Sequence, residues 1–234
     1  NTLLVVIGLL VLCFVLITLV ERKPVPVNDS PVLGFRESLK EGFQFVFKTQ
    51  IVLYAISLDL FSVLFGGVVA ILPIFAEDIL KVGAEGLGFL RAAPSVGAVL
   101  TMAYMTRNPP TLNAWRNMLL AVAGFGVATI IFALSTNFYL SLGMLALTGA
   151  FDSVSVIIRQ TILQIFPPDH LRGRVAAVNG IFVSSSNEIG AFESGLAAKL
   201  FGTVPSVLLG GTATLVILAY IYVKSKDLLA VKLG

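Results

Sequence analysis

Six ionisable side chains sit inside apolar stretches of this sequence: Asp59, Arg91, Asp152, Arg159, Glu188 and Glu193. A charge at the centre of a lipid-embedded helix costs about 2.5–3.5 kcal/mol on insertion scales, so each one points to a pathway or to a partner charge. Helical spacing groups them. Thr148, Asp152, Ser155 and Arg159 recur at i, i+4, i+7 and i+11, which makes one polar stripe. Ala55, Asp59, Ser62 and Gly66 make a second stripe of small and polar residues. Asn179, Ser186 and Glu193 share a helical face, whereas Glu188 and Ser184 point roughly the other way at 100° per residue. The two glutamates therefore have different jobs.

Depth along each apolar block suggests what those jobs are. Asp152 and Glu188 lie near the middle of their blocks, where transport sites sit. With Asn187 and Glu193 they form the candidate set for substrate binding or proton coupling. Asp59 and Arg159 are displaced toward one side, and Arg91 and Glu193 toward the other, which predicts the pairs Asp59–Arg159 and Arg91–Glu193. Such pairs either serve transport or simply lock a bundle. Arg91 has the further option of snorkelling to the surface. Asn187 also reads as interhelical glue.

The elements that must position these residues follow from composition. Of the 234 residues 57% are hydrophobic and 12% charged, with a mean hydropathy of +0.95. A soluble domain carries about 25% charged residues, so this chain lacks the means to cover a water-facing surface. Its apolar blocks are long enough for the ~30 Å hydrocarbon core, and in lipid such blocks must be helices. The sequence predicts an all-α, polytopic membrane protein with seven spans, at about 2–20, 51–76, 86–106, 117–135, 137–165, 172–198 and 203–223.

Basic residues orient the spans. Twelve of the sixteen Lys and Arg, among them Arg172 and Arg174 in one loop, fall on a single side of this topology. Only Lys81 and Lys199 fall on the other, which predicts a cytoplasmic C-terminus and an outside Asn1. The formal charge of +3 is thus orienting charge on a bilayer rather than a nucleic-acid footprint. Residues 2–20 lack a basic leader and a cleavage site, so they read as a span opening a longer protein rather than a signal peptide.

Residues 21–50 divide one span from six. Their first part is Pro-rich linker. Their second part places Phe35, Leu39, Phe43, Val46 and Phe47 on one face, an amphipathic interfacial helix or a short extension of the second span. One span (1–20), a cytoplasmic linker (21–50) and a six-helix unit (51–234) is the pattern of a twelve-helix transporter cut before the last helix of its N-terminal half. The fourth and seventh spans carry no charge and read as peripheral. Gly66-Gly67, Gly190, Gly195 and Gly210-Gly211 read as close-packing positions, with Pro73 kinking or ending the second span and Pro94 bending the third.

Enzyme chemistry finds no support. HExxH and GxSxG are missing, His170 is the sole histidine, and Cys13 is the sole cysteine. No His/Cys cluster suits a metal, and no cofactor motif appears. The GAEGLG run from Gly83 reads as a short external loop, not a phosphate-binding turn.

Two segments carry a family resemblance: SLDLFSVLFGGVVAILPIFAEDIL from Ser57, and PPDHLRGRVAAVNGIFVSSSNEIGAFESGLAAKLFG from Pro167. Together they resemble the C-terminal half of a major facilitator superfamily transporter, in the branch of the enterobactin exporter, macrolide-efflux and transmembrane secretion effector proteins. Arg172-Gly173-Arg174 and the Asn187-Glu188 to Glu193-Ser194-Gly195 stretch are its most specific parts. Ala191 departs from it, standing where relatives often have another acid, and TRNPPTLNAWRN departs from the GxxxDR-type signature. The resemblance implies a secondary active, proton-driven exporter of small amphiphilic molecules working by alternating access. Its partners would be the bilayer, protons, a small-molecule substrate and the N-terminal half. A non-transporting receptor or scaffold on the same fold is the other reading.

Overall fold

The computed structural model describes residues 2–20, 34–110 and 113–230. The predicted linker over 21–33, with Arg22 and Lys23, lies outside the described residues, as does Lys232 in the tail. The chain divides into two compact units, Asn1–Val32 and Leu33–Gly234. The first holds one apolar helix, α1 (Thr2–Thr18).

Every regular element among the described residues of the second unit is a helix. The unit comprises α2 (Phe35–Lys48), α3 (Gln50–Gly66), the single turn α4 (Leu72–Ile74), α5 (Gly83–Met105), α6 (Ala114–Leu134), α7 (Phe138–Ile165), α8 (Asp169–Phe201) and α9 (Thr203–Lys224). Five stretches are long and apolar enough to cross a membrane: Gln50–Ile79, Gly83–Met105, Ala114–Leu134, Phe138–Ile165 and Thr203–Lys224. The chain is therefore an all-α membrane protein. α8 is the longest helix at 33 residues but falls outside that set, because Asn179, Ser184, Ser185, Ser186, Asn187 and Glu188 make its middle polar. α1 also falls outside it; its apolar run, Val6–Thr18, is short.

Packing follows the small residues. α5 and α6 flank α7, α6 also packs on α9, and α3 lies between α8 and α9. A Cβ on Gly97 would sit 1.8 Å from the Ala146 carbonyl, and one on Gly149 would sit 1.9 Å from that of Pro94. Only glycine permits these backbones to meet. Apolar residues fill two cores. Val52, Trp115, Met118, Ile158 and Val175 pack in one, and Leu72, Phe75, Leu90, Phe132 and Leu145 in the other. Trp115 Nε1 donates to Ser225 Oγ at 2.9 Å, which satisfies the indole inside the first core.

α6, with Arg116 in its first turn, keeps Leu120, Val127, Ile131 and Leu134 exposed along one side and packs through the other. Half of its spanning window is covered by protein, against 22% for α5, because α7 and α9 pack against it. Gly83 to Gly88 is not a loop: it forms the first turns of α5, which follows the left-handed Lys81 (φ 54°) and opens on the left-handed Gly83 (φ 64°).

The second span is discontinuous. α3 stops at Gly66, Gly67 is extended (φ −73°, ψ 98°), and a 3-10 turn over Val69–Ile71 leads into α4 and a π turn over Phe75–Ile79. Pro73 does not cause the break. It sits in the first turn of the restarted helix, where its missing N–H costs nothing. The Gly66-Gly67 pair breaks the span because α9, α8 and α6 crowd it. A Cβ on Gly210 would meet the Phe65 carbonyl at 1.8 Å, one on Gly190 the Leu64 carbonyl at 3.0 Å, and one on Gly66 the Phe125 ring at 2.5 Å.

α2 docks on α8 through Gly42 and Val46, both buried. The predicted apolar face is rotated: Phe35 and Phe47 are exposed, while a Cβ on Gly42 would lie 2.8 Å from the Arg174 carbonyl. Close backbone approach at Gly42, rather than the phenylalanine row, selects the docking face. Phe43 still contributes by meeting Phe182 edge-on at 5.9 Å.

Candidate functional site

The polar stripe of α7 faces α3 and α8 at two levels. At the first, Arg159 and Asp59 are both almost fully buried, and Arg159 Nη1 stands 2.6 Å from Asp59 Oδ2. The same nitrogen donates to Asn179 Oδ1 at 3.1 Å, which ties α3, α7 and α8 through one guanidinium. Arg159 Nε is buried without an acceptor. Removing both charges from water is costly, and their contact offsets that cost only while both partners stay in place.

At the second level, about two turns along α7, Asp152 borders a cavity of about 190 Å³ at the α3 break. Val63, Gly67, Val68, Pro94, Phe125 and Leu145 supply apolar or backbone wall. Asp152, Thr148 and Asn187 supply the side-chain polarity. No ion pair or side-chain hydrogen bond reaches the Asp152 carboxylate among the described residues. Thr148 donates its hydroxyl to the Leu145 carbonyl at 2.7 Å, and Asn187 Nδ2 donates to the Val183 carbonyl at 2.8 Å. Ser194 Oγ donates to the carbonyl of Gly67 at 3.1 Å, answering one of the backbone groups freed by the break.

The remaining candidates lie elsewhere. Glu188 is exposed on α8, one residue beyond Asn187, and does not line the cavity. Glu193 is half-buried and Arg91 exposed, and no salt bridge joins them among the described residues. The reason is architectural, since α5 packs on α7 while α8 packs on α3. Arg172 pairs with Asp169 at 3.0 Å on the surface, and Arg174 makes a close ion pair with Glu41 of α2. No group of three potential metal ligands occurs among the described residues.

Sequence reasoning passed over the break itself. Gly66-Gly67 followed by Pro73 is a breaker signal as well as a packing one. It also passed over Thr148 and Pro94 as cavity wall and Glu41 as the partner of Arg174.

Apolar helices that hold a buried ion pair and a carboxylate-lined cavity define a polytopic membrane protein with charge in its interior. The chain belongs to the Major Facilitator Superfamily, whose family profile matches residues 1–191. It is similar to proteins named enterobactin exporter EntS, at 26% identity over 205 residues in Escherichia coli O1:K1 / APEC and in Shigella flexneri. In both comparisons the match covers 86% of this chain and 48% of the relative. The chain thus spans about half the length of the curated relatives it matches. No solved structure matches it.

Proposed function

We propose that this chain forms the C-terminal half of a secondary active, proton-coupled exporter of small amphiphilic molecules, siderophores or drugs among them. On this reading α1 closes the N-terminal half, residues 21–50 are the cytoplasmic linker, and α3 to α9 supply six spans with the C-terminus in the cytoplasm. α8 spans despite its polarity because its exposed, small and charged face meets the other half rather than lipid. The membrane is the bacterial plasma membrane. Alternating access then rocks this half against its missing partner around a site near the bilayer midplane.

One observation carries the reading: Asp152 stands in a cavity at a break in a membrane helix without a partner charge in contact. A carboxylate so placed is costly to a purely structural bundle, and transport gives it work. Asp152, with Asn187 beside it, is the candidate for substrate binding or proton coupling. Glu188 and Glu193 are candidates on the face that would meet the other half. The Asp59–Arg159 pair is the brace that positions α7.

The test is efflux from cells carrying the full-length gene, with and without a protonophore, over a catecholate siderophore, a macrolide and a cationic dye. Export that collapses with the proton gradient is expected. Absence of efflux from a folded, inserted protein, or efflux indifferent to the protonophore, would count against the proposal.

A further inference from the structure

The polar side chains that line the cavity at the α3 break present mainly hydrogen-bond acceptors. The Thr148 hydroxyl proton goes to the Leu145 carbonyl and one Asn187 N–H to the Val183 carbonyl, leaving oxygen lone pairs toward the cavity they line. Asp152 adds a carboxylate, which is acceptor-only when ionised. The α3 helix ends here, at Gly66, and the chain restarting beyond the break lines the same space with Val68 and Val69. The nearby cation on α7, Arg159, is already engaged with Asp59 and Asn179. The Asp152 carboxylate and the hydroxyl and amide oxygens beside it therefore favour a positively charged hydrogen-bond donor over an anion.

The walls decide which cation. A metal ion such as magnesium or calcium asks for six or more oxygen ligands in a shell. Here most of the lining is apolar: Val63, Val68, Pro94, Leu145 and the Phe125 ring. An apolar wall with an aromatic ring, beside a carboxylate, suits an organic cation. The volume of about 190 Å³ holds a short alkylammonium head rather than a whole large amphiphile.

We infer that the Asp152–Thr148–Asn187 cavity at the Gly66-Gly67 break is a binding site for the protonated amine of an alkylammonium ligand. The ammonium would bridge Asp152 and the Asn187 amide oxygen, with its chain against Val68 and Phe125. Alkylammonium as exported cargo rests on the exporter reading above, whereas its binding does not.

The experiment uses the full-length protein in phosphatidylcholine nanodiscs and titrates it calorimetrically with n-hexylammonium, hexanol and hexanoate. Hexylammonium should bind one per protein and at least about tenfold tighter than hexanol, as expected for a hydrogen bond to a charged group, with hexanoate silent. Asp152→Asn keeps the side-chain shape and should weaken hexylammonium about tenfold to a hundredfold. Asn187→Leu, on the rim, should weaken it about threefold to tenfold and guards against a folding artefact at Asp152. Unchanged affinity in Asp152→Asn, or hexanoate binding as well as hexylammonium, overturns the site. Competitive displacement by sodium chloride but not by choline chloride also overturns it, in favour of an inorganic cation. Efflux without hexylammonium binding sinks this site and leaves the exporter standing; binding without efflux of any compound does the reverse.

Discussion

Arg159 holds a guanidinium in a protein interior on two contacts, and the consequences belong to single residues. Asp59→Asn would leave that charge with Asn179 alone. Breaking one side of a buried pair typically costs about 3–5 kcal/mol, so a large drop in the thermal midpoint of the purified protein is expected. An unchanged midpoint would show that the pair is not bracing the bundle. The double reversal Asp59→Arg with Arg159→Asp should recover part of the loss, since the two charges would again face each other. Arg91 gives the opposite expectation. It is exposed and has no ion pair among the described residues, so Arg91→Gln should change stability by no more than about 0.5 kcal/mol. A loss comparable to that of Asp59→Asn would reveal a partner that this unit does not contain.

At the scale of elements, backbone approach at glycines sets which helices can meet. Gly97 and Gly149 bring α5 against α7 at distances no Cβ tolerates, whereas Gly143 on α7 has nothing within 4 Å of where a Cβ would stand. Gly149→Ala should therefore cost at least about 1–3 kcal/mol, as overpacking does, and Gly143→Ala should be neutral or slightly stabilising. Thermal midpoints of the two variants side by side decide this, and equal values would contradict the close approach. α2 makes a related case. Its seat on α8 combines Gly42 under the Arg174 carbonyl with the Glu41–Arg174 ion pair. Gly42→Leu should lift the helix and raise hydrogen exchange over residues 35–48 while leaving α6 and α9 protected. Exchange that stays slow there would mean that α2 is held by something other than α8.

At the scale of the whole molecule, two features set the organisation: where the basic residues fall and which helices carry charge. The Lys and Arg of this sequence are concentrated on one side of the proposed seven-span topology, which argues for a cytoplasmic C-terminus. A green fluorescent protein fused after Gly234 should fluoresce, and an alkaline phosphatase fused there should be inactive. The reverse pattern would invert the topology and move Arg172 and Arg174 outside. The uncovered polar face of α8, with Glu188 on it, fits a protein whose other half covers it. Glu188→Gln should then reduce efflux by the full-length protein without lowering its thermal midpoint. A variant that loses stability and keeps its efflux would make Glu188 a packing residue.

Composition and periodicity alone determined that the chain is an all-helical membrane protein. Too few charges to face water and apolar blocks of membrane length admit no other class. They also located the helices to within a few residues, and they placed Asp152, Arg159 and Thr148 on one stripe of α7, because side-chain direction along a helix follows from position alone. What they left undecided depends on which helices are neighbours. Whether Gly66-Gly67 packs or breaks turns on the crowding of Phe65 by Gly210 and of Gly66 by Phe125, contacts between residues far apart in the chain. Arg91 and Glu193 have the right charges and depths for a pair, yet α5 packs on α7 and α8 on α3, so complementary charge never becomes contact. The cavity at Asp152 is the same kind of fact. Its acceptors come from α7 and α8 and its opening from a break in α3, and only the tertiary packing of those helices brings them to one place.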